Sequence, residues 1–279
     1  MNIIITGSSG MIGSALIDEL QKQGHYTIGL DKIIPKYATP NLFKLIDLTN
    51  YELTKTILKK YDIDIIINLA ATARVIECVK NPKLATENYV MSMNIIEYCN
   101  KNNIPLIHAS TREIYHSEEN IYAASKHGIE IAIKATAFTN PEFKYNIIRY
   151  SNVYGKYDES DRFIPNAFRF KKENKTMPIW SRDKTKDKIL DFTHLDDSIK
   201  ATILAMKEFH NDYFDIGFGK GYKLIDVAKK IGVAFDTLPN RKGEIMTYTT
   251  DTKKAKEKLG FEAKIDINEG LEKSKKWYK

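Results

Sequence analysis

Tyr122 and Lys126 stand four residues apart in STREIYHSEENIYAASK, residues 110–126. On a helix that spacing puts both side chains on one face. An ammonium beside a phenol favours the phenolate and draws its pKa toward working pH, so the pair can take the proton of an alcohol. Thr111, at the end of the preceding apolar run, is placed to hydrogen-bond the same oxygen. Glu113 is a carboxylate that by residue type reads as a counter-charge to Arg112 or a cap on the site wall. Tyr-x-x-x-Lys is common in proteins. What precedes it gives it force.

The chain opens on an apolar run followed by ITGSSGMIG, residues 5–13. Gly7, Gly10 and Gly13 suit a tight strand-to-helix turn in which backbone approaches a pyrophosphate and the helix packs close to the strand. The helix start adds N–H groups and positive dipole for the phosphates. Asp31 closes the next strand, where an acid accepts from a ribose 2′-hydroxyl and repels the extra phosphate of NADP. The residues therefore read as an NAD site. Lys32 leans the other way, and Asp47 is a candidate for the adenine edge.

Elements must hold these two ends together. Strands are expected at Asn2–Thr6, Thr27–Asp31, Phe43–Ile46, Ile63–Asn68, Pro105–Ser110 and Tyr145–Tyr150. Helical spacing occupies Met11–Gly24, Tyr51–Lys60, Pro82–Asn102 and Tyr122–Phe138. The alternation argues for an α/β fold, a Rossmann-type doubly wound parallel sheet. Beyond Tyr154 the pattern turns irregular: Asp158–Lys188 reads as polar loop, Ile189–Thr193 as a strand, Asp196–Phe209 as a helix, and the tail as short helices with one strand. The expected division is an NAD-binding domain over 1–154 with a return segment near 188–217. A smaller, partly discontinuous C-terminal substrate lobe takes 155–187 and 218–279.

Composition narrows the class. The net charge of +7 comes mostly from Lys interspersed with Glu and Asp, which reads as solvated helix faces rather than a nucleic-acid surface. No apolar run is long enough for a membrane span. The N-terminus lacks the marks of a signal peptide, so the expected location is the cytoplasm. Cys78 and Cys99 form no C-x-x-C and read as reduced packing residues. The six histidines show no metal spacing, so no metal is expected.

With these residues in place the chain resembles the extended short-chain dehydrogenase/reductases, of the NAD-dependent epimerase/dehydratase type, over nearly its whole length. The resemblance is carried by TGSSGMIG (6–13), NLAA (68–71), Asn88, ASTREIY (109–115), YAASK (122–126) and RYSNVYG (149–155). Near the end, RKGE (241–244) followed by YTTDTKKAKEKLGF (248–261) adds to it. It implies NAD as cofactor, with Met11, Ile12, Lys32, Leu48, Leu69, Ala70, Ala71, Asn88 and Tyr150 joining the glycines, Asp31 and Asp47 around it. It further implies a nucleotide-sugar substrate, UDP-linked, with Asn152 and Arg241 at the diphosphate. Tyr122 would be the base at the sugar 4-hydroxyl, Lys126 would tune it and hold the nicotinamide ribose, and Thr111 would polarise the hydroxyl. Hydride would leave C4 for NAD and return to the other face of a 4-keto sugar. A homodimer through helices 82–102 and 122–138 is implied as well.

Within NLAA, Asn68 stands where the family usually has His. Three departures bear on the reaction. Thr111-Arg112-Glu113 is similar to the Thr-x-Glu of 4,6-dehydratases and decarboxylases, in which Glu serves a second step. The segment from Tyr115 to Tyr122 is short for the family, with His116 in place of its Gly. In ILDFTHLDD (189–197) Leu190 stands where a phosphate-binding Arg is expected, and Lys188, two residues earlier, is the candidate substitute. An NAD-dependent nucleotide-sugar 4-epimerase leads. A dehydratase or decarboxylase using Glu113, a net dehydrogenase, and a non-catalytic NAD-binding sensor or scaffold stay open.

Overall fold

Ile3–Ile5 and Ile65–Ile67 are buried at every position, as interior strands covered on both faces require. The computed structural model describes residues 1–183, 186–241 and 244–278. It divides into two compact units, Met1–Arg149 with Thr202–Phe214, and Tyr150–Ala201 with Asp215–Lys279.

In the first unit the elements are β1 (Asn2–Thr6), α1 (Met11–Lys22), β2 (Tyr26–Asp31), β3 (Leu42–Leu45), α2 (Tyr51–Leu58), β4 (Ile65–Asn68), α3 (Val75–Lys80), α4 (Lys83–Asn102), β5 (Leu106–Thr111), α5 (Ile121–Thr139) and β6 (Tyr145–Tyr150). They build a seven-stranded parallel sheet in the order β3-β2-β1-β4-β5-β6, with the strand Asp212–Ile216 outside β6. The chain works outward from β1 to β3, then resumes at β4 on the other side of β1. That reversal is the switch point beyond which such sheets bind ligands. Register fixes what gathers there: Thr6 pairs with Leu30 and Asn68, and Asn68 pairs with His108.

Local chemistry sets the helix starts. Asn50 accepts from the Leu53 N–H and Asn120 from the Ala123 N–H, each satisfying an amide that the first turn leaves unpaired. Helix α5 then buries Ile129 and Ile133 against a core that includes Ile66, Ile95, Leu106 and Ile147. The strands and long helices expected before Tyr154 lie within about two residues of the observed ones, the usual fraying of element ends, whereas the helix expected at Asp196–Phe209 runs over Leu195–Ala205 and ends four residues early. Helix α3 and a 3-10 helix at Arg112–His116 were not expected, being too short for periodicity to register.

The second unit differs from expectation in extent and content. Val153–Tyr154 pairs with Thr193–His194, which ties residues 150–154 and 189–194 into this unit, so the return segment shortens to Thr202–Phe214. The stretch expected as polar loop holds a helix at Phe163–Lys172 and a strand at Met177–Asp183. Ile164, Ala167 and Phe168 give that helix its buried stripe. Among the described residues the tail contains three strands rather than one, Gly221–Lys223, Phe235–Pro239 and Thr247–Tyr248. Among the described residues no helix is long and apolar enough to cross a membrane.

Candidate active site

The turn between β1 and α1 is shaped by contacts that exclude side chains. Gly7 adopts φ +65°, and a Cβ on it would sit 2.9 Å from Ala70 N. A Cβ on Gly13 would sit 2.3 Å from Gly7 O, so α1 can lie this close to the turn only without one. No side chain caps α1 at Gly10, so capping leaves its first amides to other acceptors. Asp31 holds the rim: one carboxylate oxygen accepts from Ser9 N–H at 2.9 Å, the other from Ile33 N–H at 3.0 Å. This arrangement fits a dinucleotide pyrophosphate and ribose. Thr49 N–H and Oγ1–H donate to Asp47 and lower its pKa, and Leu48 beside it is buried. Asn88 is buried with both ends of its amide on the backbone of Thr72, so it pins the segment that follows β4.

Tyr122 and Lys126 both lie on α5, as the spacing required. Tyr122 is buried beside Cys78 and Ala85, and Lys126 is 3% exposed. Both cysteines are free and buried, in keeping with packing roles. Lys126 Nζ donates to Ala109 O at 2.5 Å and lies 3.5 Å from His108 Nε2. Burial pulls its pKa from 10.5 down to about 8, against an upward pull from Glu130. Thr111 ends β5 and caps the 3-10 helix, its hydroxyl oxygen accepting from Glu113 N–H at 3.2 Å. That leaves the hydroxyl hydrogen for another acceptor.

Arg112 and Glu113 form a buried ion pair at 2.9 Å. The second carboxylate oxygen of Glu113 is buried and has no hydrogen-bond partner among the described residues. The short segment is completed by His116, paired with Glu119 at 2.7 Å.

A second buried pair was not foreseen. Glu130, one turn past Lys126, accepts from Ser110 Oγ at 2.6 Å and from Arg149 through a two-pronged fork at 2.6 and 3.0 Å. Arg149 also stacks 3.4 Å over the Tyr213 ring. These contacts staple α5 to β5 and β6 and fix the helix that carries Tyr122 and Lys126. The signal was in the sequence: Tyr122, Lys126 and Glu130 continue one helical face at intervals of four, and a buried carboxylate needs a cation.

In the second unit Leu190 lies in the apolar core. Lys188 is buried, with Nζ 2.8 Å from Glu244 Oε2 and 3.1 Å from Asn240 Oδ1. Arg241 stacks 3.4 Å over the Trp180 ring and reaches the other oxygen of Glu244 at 3.5 Å. One carboxylate thus faces two cations. Asn152 takes φ +31° and donates to Asp191 O at 2.6 Å. Lys242 and Gly243 of the RKGE motif lie outside the described residues.

A sequence model of the NAD dependent epimerase/dehydratase family matches residues 3–217. Among characterised relatives, the chain is 28% identical over 312 aligned positions to the UDP-glucuronate 4-epimerase of Thermodesulfobacterium geofontis, covering 99% of this chain and 95% of that one. It is 24% identical to the dTDP-glucose 4,6-dehydratase of Haemophilus influenzae, covering 100% and 98%. Its fold is similar to the crystal structure of UDP-glucose 4-epimerase from Thermotoga maritima with UDP-glucose, with a TM-score of 0.88, 26% identity and coverage of 100% and 98%.

Proposed function

The chain belongs to the NAD dependent epimerase/dehydratase family, and from that premise we propose that it is a nucleotide-sugar 4-epimerase with a UDP-linked substrate. The observation that carries this is the α5 pair itself, a buried tyrosine one turn from a buried lysine whose ammonium is anchored on the end of β5. A protein that only senses a dinucleotide has no use for a tuned phenol.

In this reading Tyr122, as phenolate, takes the proton from the sugar 4-hydroxyl and later returns it. The Lys126 charge favours that phenolate. Thr111, whose hydroxyl hydrogen its cap leaves available, donates to the same oxygen in this reading. NAD, when bound, supplies the acceptance and return of hydride at C4. The ketone turns over between the two transfers, so the product is the 4-epimer and no net oxidation occurs. At the cofactor, Gly7, Gly10, Met11, Ile12 and Gly13 offer backbone to the pyrophosphate and Asp31 accepts from the adenosine ribose. In the second unit Arg241 is the residue that meets the diphosphate, and Asn152 supports it. Lys188, already paired with Glu244, contributes less than the sequence suggested. Exposed Tyr89 and Val90 on α4 and Ile131 and Phe138 on α5 support a homodimer through these helices.

A second reading has its own support. Glu113 keeps one buried oxygen without a partner, the condition expected of a carboxylate that handles a proton in a dehydration or decarboxylation. One experiment separates the two: the purified protein and NAD are incubated with a mixed nucleotide-sugar pool and resolved by mass and retention. A new species of unchanged mass supports epimerisation; loss of water or carbon dioxide replaces it with the Glu113 reading. Glu113→Gln then serves as the check, since an epimerase keeps most of its turnover per folded molecule while the other two chemistries lose it.

A further inference from the structure

A buried polar chain runs through the first unit from β1 to the reactive lysine. Thr6 Oγ1 accepts from the backbone N–H groups of Leu69 and Ala70, at 3.1 Å each, and lies 2.6 Å from Asn68 Oδ1. Its lone pairs are taken, so its one hydrogen goes to Asn68, which must present its carbonyl oxygen there. The amide nitrogen of Asn68 therefore faces His108 Nδ1 at 3.2 Å and Ser92 Oγ at 3.5 Å. A ring nitrogen that meets an N–H donor accepts, so neutral His108 carries its hydrogen on Nε2. That nitrogen lies 3.5 Å from Lys126 Nζ. Thr6, Asn68, His108 and Lys126 are all buried.

We propose that His108 is a positioning residue of the reaction: locked by Asn68 with its hydrogen on Nε2, it sets a donor against the ammonium of Lys126 and thereby fixes the pH at which that lysine loses its charge. The proposal rests on the reading of Lys126 as the partner of Tyr122. Moving the hydrogen to Nδ1 gives no relief, because it then meets the amide hydrogens of Asn68. Only a neutral amine can accept from Nε2–H, so the chain favours the uncharged lysine beyond what burial does. Burial and the Lys126 charge hold His108 well below its ordinary pKa, which keeps the ring neutral.

The other groups facing Lys126 do not remove the conflict. On its own helix Glu130 favours the ammonium, but that carboxylate is shared with Arg149 from β6 and Ser110 from β5. On the same helix Tyr122, the proposed partner of Lys126, adds charge only as phenolate, and among the described residues β4 contributes the uncharged Asn68 through His108. From β5, Ala109 O accepts one Lys126 hydrogen.

The test uses the holoenzyme labelled with 15N-histidine, with His108 assigned by its absence from His108→Phe. Long-range proton–nitrogen spectra should show Nε2 protonated, Nδ1 bare, and no titration of this ring between about pH 5.5 and 9, where an ordinary histidine titrates near 6.5. A hydrogen on Nδ1, or an ordinary titration, overturns the proposal on wild-type protein alone. The Lys126 titration is then followed by 13Cε-lysine spectra, assigned through Lys126→Met. Its midpoint should rise by about one pH unit in His108→Phe, a tenfold change in acidity. An unchanged midpoint also overturns it, and a merely structural histidine predicts just that. Neither readout requires turnover, so failure to find a substrate would count against the proposed function and leave this result to stand or fall alone.

Discussion

Replacing Lys126 by Met should stabilise the folded protein near neutral pH while removing turnover. In the folded state Lys126 ionises at about 8 rather than 10.5, which corresponds to about 3 kcal/mol of folding free energy held against the ammonium. Methionine fills most of the same volume without charge. Against that gain, the hydrogen bond from Nζ to Ala109 O at 2.5 Å is lost, and a buried carbonyl left short of its donor costs about 1–3 kcal/mol. The net is a gain of about 1 kcal/mol at pH 7, or roughly 2–4 °C in melting temperature for a chain of this size. The sign reverses with pH. Below pH 8 the lysine is charged in both states and the full cost applies. Between pH 8 and 10.5 the unfolded chain holds more protons than the folded one, so wild-type stability rises with pH relative to the variant. Near pH 10, half a unit below the unfolded pKa, just under ~1 kcal/mol of that cost remains, so the wild type should be the more stable by about 1 kcal/mol. Thermal melts of both proteins at pH 7, 8.5 and 10, after nucleotide is stripped, measure this. A variant that melts lower at pH 7, or a difference that does not change with pH, would refute the reasoning.

Two further outcomes follow from packing. Gly13→Ala puts a methyl where 2.3 Å separates it from Gly7 O; it should lower stability by about 1–3 kcal/mol and weaken NAD binding about tenfold or more, read by melting and by calorimetric titration. Ile131→Lys with Phe138→Glu places charge on the exposed apolar face of α5; light scattering should find wild-type mass near twice 32.1 kDa and the double variant near that single value. A wild type that is already monomeric sinks the dimer reading.

The parts of this chain that were readable in advance are those whose physics is local. A buried parallel strand needs an unbroken apolar run, and NIIIT and IIIN supplied one each. The turn at Gly7–Gly13 was legible because two of its glycines are demanded by backbone contact within a few ångströms. The second unit was harder. Its strands are two to seven residues long, too short for alternation to show, and Phe163–Lys172 hid its apolar stripe among lysines and arginines. The boundary moved from 154 to 149 because Val153–Tyr154 pairs with a strand forty residues away, and no local pattern encodes a distant partner.

The same limit explains which site residues escaped notice. Tyr122 and Lys126 announce themselves by spacing, whereas His108, Glu130 and Arg149 find their partners only once strands β4, β5 and β6 lie side by side. Lys188 shows what spacing leaves out. Its charge and its place beside Leu190 suggested a substitute for a missing phosphate ligand, but charge in sequence is not charge available to a ligand. Glu244, more than fifty residues on, meets Lys188 at 2.8 Å and leaves the pair nearly neutral. Arg241 keeps more of its charge: it lies flat on Trp180 with Glu244 no nearer than 3.5 Å, and a planar guanidinium held on an aromatic face still presents its edge to an anion. A diphosphate bound by this unit would therefore depend on one arginine where a family member with both cations has two, and the carboxylate of Glu244 would have to tolerate it.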